Sequence, residues 1–260
     1  MAEVVIVDAP EAAGRLIGEH IAGRIRSGPT FVLGVATGAT PLPVYAELAR
    51  HARLGLDVSG VSAFALDEYV GLAADHPESY RSVIRRKVTV PLGLDPRRVH
   101  VPDGSEADIE TAGDRFESAL LSSGGTDLQL LGIGADGHVG FNEPGSSLAS
   151  RTRVKTLTER TRRDNARFFD ALEQVPTHCV TQGIGTILEA AHLVLLAFGS
   201  HKAAAVAAAV EGPVTASLPA SCIQLHQRVT VVVDEAAAVE LERAEYYRWV
   251  FANKPAWQGL

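Results

Sequence analysis

Residues 30–50 read TFVLGVATGATPLPVYAELAR, and this stretch decides the fold. Residues 30–35 are an apolar run of the length of a buried strand, and residues 41–50 mix apolar and charged side chains in the manner of a helix. A turn containing a glycine separates the two segments. Because a strand that leads through a helix into the next strand makes a parallel pair, the stretch predicts one unit of a parallel sheet.

The same alternation continues along the chain. Strands are predicted at residues 4–7, 30–35, 61–66, 98–101, 127–133, 193–198 and 229–233. Helices are predicted at residues 10–26, 41–50, 79–88, 106–122, 162–172, 185–190, 202–210 and 236–251. Several of the strands are continuously apolar, as expected when helices cover both faces of a sheet. The sequence therefore predicts an α/β protein, a single doubly wound (Rossmann-like) domain over residues 1–260 whose mostly parallel central sheet has about seven strands flanked by helices.

The composition is that of an ordinary globular enzyme. The chain has 260 residues, of which 46% are hydrophobic and 21% charged, and this excludes a disordered or disulfide-stapled protein. No apolar run reaches the roughly 18 residues of a membrane helix, and an N-terminus with Glu3 and Asp8 is unlike a signal peptide. Cys179 and Cys222 are too few to scaffold the chain. We therefore expect a cytoplasmic protein with no membrane partner.

The charge is acidic overall but uneven. With 24 basic and 31 acidic residues the net charge is −7, which argues against a nucleic-acid partner. Residues 151–167 contain seven basic and two acidic residues, so this segment carries +5 and the rest of the chain −12. The basic segment therefore needs a partner of its own or is simply a solvated face.

Ligands of doubly wound sheets bind beyond the carboxyl ends of the strands, and four predicted strands end in chemically loaded loops. The first loop, residues 36–41, reads ATGATP and leads into a helix. Its backbone N–H groups and the positive end of the helix dipole form an anion site suited to phosphate. On this motif alone, an ordinary turn with a threonine N-cap is an equal alternative.

The second and third loops carry acid/base groups. Asp67 and Glu68 follow the strand at 61–66, and because neighbours on an extended chain point to opposite faces, only one is expected to be a general base. The loop after residues 127–133 places Asp136, His138 and Glu143 within eight residues. Carboxylates beside an imidazole can fix its tautomer for proton transfer, so this grouping predicts a catalytic site rather than a structural histidine.

The loop at residues 132–137 also matches the GxGxxG fingerprint of dinucleotide-binding proteins. Gly140, Pro144 and Gly145 would break the helix that the fingerprint should open, and no acidic strand end follows about 20 residues on. We therefore expect no dinucleotide cofactor. No HExxH, CxxC or GxSxG motif is present, so neither a metal site nor acyl-enzyme chemistry is expected.

The fourth loop places Lys202 at the start of an alanine-rich helix. A positive charge there opposes the helix dipole, which is unfavourable by about 0.3–1 kcal/mol, and a bound anion would reverse the penalty. A solvated lysine is the plain alternative. The loop therefore suggests a second phosphate ligand.

The loops together resemble the glucosamine-6-phosphate deaminase family. The matching blocks are residues 33–41, 66–72, 76–80, 132–144, 147–158 and 220–226, in order over most of the chain. The block from Asp136-Gly137-His138 to Phe141-Asn142-Glu143-Pro144 is the most specific. The resemblance implies conversion of glucosamine 6-phosphate and water into fructose 6-phosphate and ammonia, in amino-sugar catabolism and without a cofactor or metal.

The resemblance also implies roles for particular residues. Asp67 corresponds to the base that moves a proton from C2 to C1, and His138 to the group that opens the sugar ring with the help of Asp136 and Glu143. The substrate phosphate is expected to bind Thr37, Gly38, Ala39, Thr40, Arg167 and Lys202. Ala36 and Ala39 depart slightly from the usual phosphate loop of the family.

Hexameric family members are activated by N-acetylglucosamine 6-phosphate, which binds between subunits. The positions that match this effector site are Ser146, Arg153, Lys155 and Thr156. The tyrosine that closes the site in the family aligns with Arg248, although Tyr246 and Tyr247 are adjacent. The resemblance thus implies a homo-oligomer, a hexamer, with the strength of activation left open, and it leaves open whether residues 153–181 close as a lid.

Two other functions are considered. A 6-phosphogluconolactonase shares the fold and a Gly-His block, but that block continues towards Thr-Ala-Ser, whereas this chain has Glu143. A non-catalytic sugar-phosphate sensor would need an N-terminal helix-turn-helix and would not need the complete acid/base set. The deaminase is therefore the predicted function.

Overall fold

The computed structural model describes residues 2–105, 107–255 and 257–260. The strands are β1 (Glu3–Val7), β2 (Phe31–Val35), β3 (Val61–Ala65), β4 (Asp67–Tyr69), β5 (Val99–His100), β6 (Leu128–Gly132), β7 (Arg153–Thr156), β8 (His178–Thr181), β9 (Leu193–Ala197) and β10 (Val229–Asp234). The helices are α1 (Pro10–Arg26), α2 (Leu42–Arg53), α3 (Tyr80–Ile84), α4 (Val90–Leu92), α5 (Ala112–Ser122), α6 (Glu159–Asn165), α7 (Ile184–Leu188), α8 (Ala203–Val210) and α9 (Ala244–Ala252).

Seven strands form one parallel sheet in the order β1-β10-β9-β6-β2-β3-β5. Every neighbouring pair in this sheet is parallel, as the crossovers predicted from the sequence require. The predicted α/β fold with a seven-stranded, doubly wound sheet is therefore confirmed. The chain order changes direction between β6 and β2, which is the position where ligands bind in such sheets.

Apolar side chains on both faces of the sheet are buried under helices. In β9, Val194 and Leu196 join the core beneath α1 and α2, whereas Leu193, Leu195 and Ala197 join the core on the opposite side. β2, β3 and β9 are buried along their whole length. This double coverage explains why the sequence of these strands is continuously apolar rather than alternating.

A second, antiparallel sheet in the order β4-β8-β7 lies beyond the end of β3, and its strands were not predicted. Its register places Asp67 opposite Thr181 and Thr181 opposite Arg153. Residues directly opposite one another in antiparallel strands share a face, so these three lie in one row. The small sheet therefore joins the candidate base to the basic segment at residues 151–167.

Several predicted boundaries are wrong for local reasons. The helix predicted at 162–172 begins at Glu159, where the Thr158 hydroxyl accepts the Thr161 N–H at 3.2 Å, and a 3-10 turn ends it before Phe169. The helix predicted at 236–251 begins only at Ala244. The Asp234 carboxylate, which accepts the Ala237 N–H at 2.8 Å, holds the preceding residues in turns.

Other boundaries shift less. The segment predicted as a helix at 79–88 continues from α3 through a π-helical turn (Arg85–Thr89) into α4. The helix predicted at 106–122 has α5 as its main part, after a 3-10 turn at Ile109–Thr111, and Glu106 lies outside the described residues. The helix predicted from residue 202 starts one residue later, with Lys202 in a 3-10 turn (Ser200–Lys202). Within the described residues, no helix has the length and apolar character that crossing a membrane would require.

A buried histidine, His192, and a half-buried one, His20, lie on either side of the contact between α1 and the sheet. His192 is fully buried, donates to or accepts from the Thr230 hydroxyl at 2.9 Å, and meets the His20 ring edge-on at 5.4 Å between centroids. Burial, with the positive charge of Arg228, lowers the pKa of His192 to about 3 and that of His20 to about 4. Both rings are therefore neutral in the folded protein at neutral pH.

We predict that this pair makes the fold acid-sensitive. Because the unfolded histidines titrate near their ordinary pKa of about 6.5 and the folded ones below it, stability is lost as the pH falls from about 6.5 towards the folded values. His192→Gln should therefore lose less melting temperature than the wild type between pH 7 and pH 5 in a thermal scan. The exposed His178→Gln is the control, and an equal loss in His192→Gln and wild type would contradict the prediction.

Candidate active site

The four loops singled out in the sequence meet at one edge of the main sheet. They follow β2, β3, β6 and β9, which are neighbours in the sheet, and all four strands end at the same side because they are parallel. The short β4 continues from β3 after Leu66 and turns the chain into the small sheet. The predicted convergence of these loops is therefore present in the structure.

Asp67 lies beneath the loop that follows β6. Its side chain is only 5% exposed, and the backbone N–H of Phe141, which donates to Thr181 Oγ1 at 3.2 Å, also lies close enough to the Asp67 carboxylate to favour its ionised form. Gly140, at φ +55°, passes so close that a Cβ there would lie 3.2 Å from both Asp67 Oδ2 and Thr181 Oγ1. Burial first, and the charge of Glu68 second, raise the pKa of Asp67 to about 8. This carboxyl group is thus poised to exchange a proton near neutral pH.

Glu68 serves a different region. It is also 5% exposed, and its two oxygens accept the backbone N–H groups of Tyr69, Tyr80 and Arg81, each at 2.8 Å. The two adjacent acids therefore point in different directions, as predicted. Asp67 is directed to the loop after β6, and Glu68 is directed to the start of α3.

Asp136 and His138 form a tight pair in the glycine-rich loop. His138 Nδ1 lies 2.7 Å from Asp136 Oδ1, and this hydrogen bond holds the pKa of Asp136 well below its usual range. Gly134 permits the pair, because a Cβ at that position would lie 2.2 Å from the His138 ring. Gly137 adopts φ +83° between them. The glycines of this loop therefore make room for the close contact of Asp136 and His138.

Glu143 completes the cluster from the far end of the loop. Its Oε1 accepts the hydroxyl of Thr161 at 2.6 Å and that of Thr158 at 3.2 Å, while its buried Oε2 has no partner among the described residues. Ligand atoms of Asp136, His138 and Glu143 all lie within 4.8 Å of one another. Such a set can relay a proton, and its composition is also one that a metal ion accepts.

The Asp136–His138 distance favours the proton relay. Two ligands of one tetrahedral zinc ion lie roughly 3.3 Å apart, given metal–ligand bonds of about 2.0 Å. The 2.7 Å between His138 Nδ1 and Asp136 Oδ1 is instead the length of a charge-assisted hydrogen bond.

The loop after β2 is held from below and open above. The buried Tyr45 hydroxyl accepts the Ala36 N–H at 3.0 Å and donates to the Ala36 carbonyl at 2.8 Å. Gly38 adopts φ +91° and is exposed together with Ala39, while Thr37 and Thr40 are half-buried. The backbone of this loop is therefore fixed at its base and accessible at its tip, as an anion site requires.

Lys202 is half-buried beside other cations. The Asp234 carboxylate accepts the Gly199 N–H at 3.0 Å and so fixes the start of this loop. Burial lowers the pKa of Lys202, and the neighbouring Arg167 and Arg160 act in the same direction. Arg167 and Arg160 thus lie close enough to Lys202 for their charges to act on it, and the sequence analysis did not single out Arg160.

The predicted effector residues lie near the same loop. Arg153 Nη1 donates to the fully buried Asn142 Oδ1 at 2.7 Å. Arg153 and Lys155 are half-buried on alternate positions of β7, and Thr156 is exposed at its end. Ser146 is buried, and its hydroxyl has no partner among the described residues. Arg153 therefore contacts the residue that precedes Glu143.

Two further positions escaped the sequence analysis. Thr181 accepts the Phe141 N–H at 3.2 Å, and Asn165 donates to the Tyr69 hydroxyl at 2.9 Å. Neither belongs to a recognisable motif, and both reach the site through β8 and α6, whose bounds were not predicted.

The sequence of this chain is similar to sequences of known proteins over almost its whole length. Residues 8–232 match the family described as Glucosamine-6-phosphate isomerases/6-phosphogluconolactonase. A glucosamine-6-phosphate deaminase from Streptomyces coelicolor is 62% identical over 260 residues, which cover 99% of this chain and 100% of the relative.

Solved structures agree. A structure of a monomeric glucosamine-6-phosphate deaminase is 40% identical, has a TM-score of 0.89 and covers 92% of this chain and 100% of its own. A 6-phosphogluconolactonase from Trypanosoma cruzi has a TM-score of 0.74 at 19% identity and covers 93% of this chain and 97% of its own. At that identity the likeness to the lactonase concerns the fold alone.

The close passage of Gly140 over Asp67 generates a prediction. Gly140→Ala should lower the free energy of unfolding by more than Gly93→Ala, because Gly93 has a similar left-handed backbone at φ +72° but open space around it. The backbone strain alone costs about 1–2 kcal/mol. Chemical denaturation measures both variants, and equal losses would mean that the loop does not pack on Asp67.

Proposed function

Because the chain belongs to the family of glucosamine-6-phosphate isomerases and 6-phosphogluconolactonases, we propose that it converts glucosamine 6-phosphate and water into fructose 6-phosphate and ammonia. The curated relative at 62% identity is a glucosamine-6-phosphate deaminase, whereas the lactonase likeness does not exceed the fold. The observation that carries the proposal is the buried Asp67 beneath the loop that holds the Asp136–His138 pair. One carboxylate base and one proton shuttle are what this reaction requires.

Ring opening is the first step. The pyranose has no acidic C–H until the C1 aldehyde is free, so a proton must leave the C1 hydroxyl and another must reach the ring oxygen. His138 is proposed to carry this proton, with Asp136 fixing its ring through the 2.7 Å contact and Glu143 supporting it from the other end of the loop.

Proton transfer between carbons is the second step. Asp67 is proposed to take the C2 proton of the open chain, which gives an enolamine with the hydroxyl on C1 and the amino group on C2, and to return the proton to C1, which gives a ketimine. Water then adds to C2 and ammonia leaves. The raised pKa of Asp67 suits this task, because a group whose pKa lies near the working pH both takes and returns a proton readily.

The phosphate is proposed to bind Thr37, Gly38, Ala39, Thr40, Arg167 and Lys202. The exposed, positive-φ tip of the loop and the half-buried Lys202 support this, and Arg160 is close enough to join them. Binding energy gained at the phosphate holds C1 and C2 in register with the two acid/base stations. The protein side chains supply every group that the steps above use, so the proposal includes no cofactor and no metal.

The finer features are proposals as well. Residues 153–181 are proposed to be a lid, supported by the hydrogen bonds of Thr161 to Glu143 and of Asn165 to Tyr69. N-acetylglucosamine 6-phosphate is the proposed activator at Ser146, Arg153, Lys155 and Thr156, supported by the Arg153–Asn142 contact beside Glu143. Residues 1–260 are proposed to act as one domain.

Assembly and location complete the proposal. The resemblance to the deaminase family proposes a homo-oligomer, a hexamer, while the solved deaminase at 40% identity is monomeric. Light scattering of the purified chain distinguishes six copies from one. A role in N-acetylglucosamine catabolism in the cytoplasm is proposed, and the free thiols of Cys179 and Cys222, both buried, accord with a reducing compartment.

We predict that Asp67→Asn abolishes turnover. The assay incubates the chain with glucosamine 6-phosphate, with and without N-acetylglucosamine 6-phosphate, and measures fructose 6-phosphate and ammonia. The variant should also melt at a higher temperature than the wild type at pH 8, with a smaller gain at pH 5, because a raised carboxyl pKa costs stability as the pH rises towards it. Ammonia release by Asp67→Asn at the wild-type rate would contradict the role of Asp67 as the base. Absence of product from the wild type would contradict the proposed deaminase function.

We also predict that Lys202→Ala and Arg167→Ala act mainly on substrate binding. Each removes a charged phosphate contact worth about 1.5–3 kcal/mol, so KM should rise about tenfold or more while kcat changes less. Arg163→Ala is the matched control, since Arg163 is exposed and pairs with Glu159 instead. An unchanged KM in both variants would remove these residues from the phosphate site.

A further inference from the structure

Glu68 is a buried acid that the proposed mechanism does not use. It lies directly after the base Asp67 in β4, and both side chains are 5% exposed. Burying a second carboxylate next to a catalytic one is costly unless it is fully hydrogen-bonded. Its retention beside the base therefore calls for a reason in the site.

The hydrogen bonds of Glu68 provide one reason. Oε1 accepts the N–H groups of Tyr69 and Tyr80, and Oε2 accepts that of Arg81, all at 2.8 Å. Two of these donors are the first residues of α3, and the hydroxyl of the N-cap residue Ser79 accepts a different N–H, that of Ser82. Glu68 thus ties the start of α3 to the strand that carries Asp67.

Tyr80, held in this way, reaches the other parts of the site. Its hydroxyl lies close to Tyr69 and to Thr37 of the loop after β2, and both act on its pKa, which burial raises well above the ordinary value. Its ring stacks on Phe141 at 5.7 Å and packs against Tyr69 at 4.9 Å between centroids. Phe141 is also the residue whose backbone N–H lies beside the Asp67 carboxylate. Through Tyr80, the Glu68 carboxylate therefore supports both the loop at residues 36–41 and Phe141, which lies beside Asp67.

The charge of Glu68 provides a second reason. The groups that bear on Asp67 from β4, α3 and β8 are Glu68, Tyr69, Tyr80 and Cys179, none of which is a cation. On its own side, Glu68 meets the positive charge of Arg81. Burial is the largest cause of the raised pKa of Asp67, and the negative charge of Glu68 is the second.

We propose that Glu68 is a positioning residue of the deamination site, which holds Tyr80 against Thr37 through the start of α3 and acts on the Asp67 base through its negative charge. This inference rests on the proposed function. The two actions separate in two substitutions. Glu68→Gln keeps the length and removes the charge, whereas Glu68→Asp keeps the charge and shortens the reach.

The experiment measures kcat and KM against pH for both variants and for wild type. In Glu68→Gln the acidic limb of kcat/KM should move to lower pH, because the free-enzyme base loses a neighbouring negative charge. In Glu68→Asp that limb should stay in place while KM rises about tenfold, the equivalent of one charged hydrogen bond lost from the start of α3. The phosphate of the substrate titrates identically in all assays and cancels.

Glu78→Gln is the matched control, because Glu78 lies two residues before Tyr80 and its carboxylate is not among the groups that act on Asp67. It should match wild type in both quantities. An acidic limb that stays in place in Glu68→Gln, or a limb that moves in Glu68→Asp as it does in Glu68→Gln, would overturn the proposal.

A readout without turnover separates this inference from the proposed function. Carbon-13 NMR of aspartate-labelled protein, with the Asp67 signal identified from Asp67→Asn, follows the titration of that carboxyl directly. It should move to lower pH in Glu68→Gln and stay in place in Glu68→Asp, even if wild type proves inactive on glucosamine 6-phosphate. If Glu68→Gln does not fold, a shifted titration in Glu68→Asp contradicts the proposal and an unshifted one supports it.

Discussion

The burial of the Asp67 carboxylate beneath the loop at residues 134–145 is the constraint on which the site depends. A carboxylate so enclosed resists ionisation, so its surroundings must be built to hold it without neutralising it by an ion pair. The structure does this with Gly140, which lets the loop pass at contact distance, and with the backbone N–H of Phe141 close by. The raised pKa of Asp67 is the chemical result of this packing.

The two sheets contribute different parts of the site around Asp67. The main parallel sheet brings four loop-bearing strand ends to one edge, which collects the loop at residues 36–41, the loop that carries His138, and Lys202. The small antiparallel sheet covers that edge and sets Asp67, Thr181 and Arg153 in one row. Two hydrogen bonds hold the loop that carries His138. The Phe141 N–H donates to the Thr181 hydroxyl of β8, and Asn142 Oδ1 accepts from Arg153 of β7. Through these two hydrogen bonds β8 contacts the loop at Phe141 and β7 contacts it at Asn142.

Parts of this arrangement follow from the sequence and parts do not. Strands with continuous apolar runs, such as β2 and β9, were predicted with nearly correct bounds, because burial on both faces leaves a strong local pattern. β4, β7 and β8 were missed because they are three or four residues long, carry charged or polar side chains and are paired only by distant segments. The same holds for single residues: Asp67 and His138 stand at predictable strand ends, whereas Asn165 and Arg160 depend on where α6 begins and ends.

The central claim is that a base shielded from water carries the C2 proton to C1. Substrate deuterated at C2, turned over in ordinary water, tests it most directly. The account predicts that proton NMR of the fructose 6-phosphate detects part of the deuterium at C1, because Asp67 is 5% exposed and exchanges slowly with solvent while the substrate covers it. Product that carries no deuterium at C1 would contradict this account of Asp67.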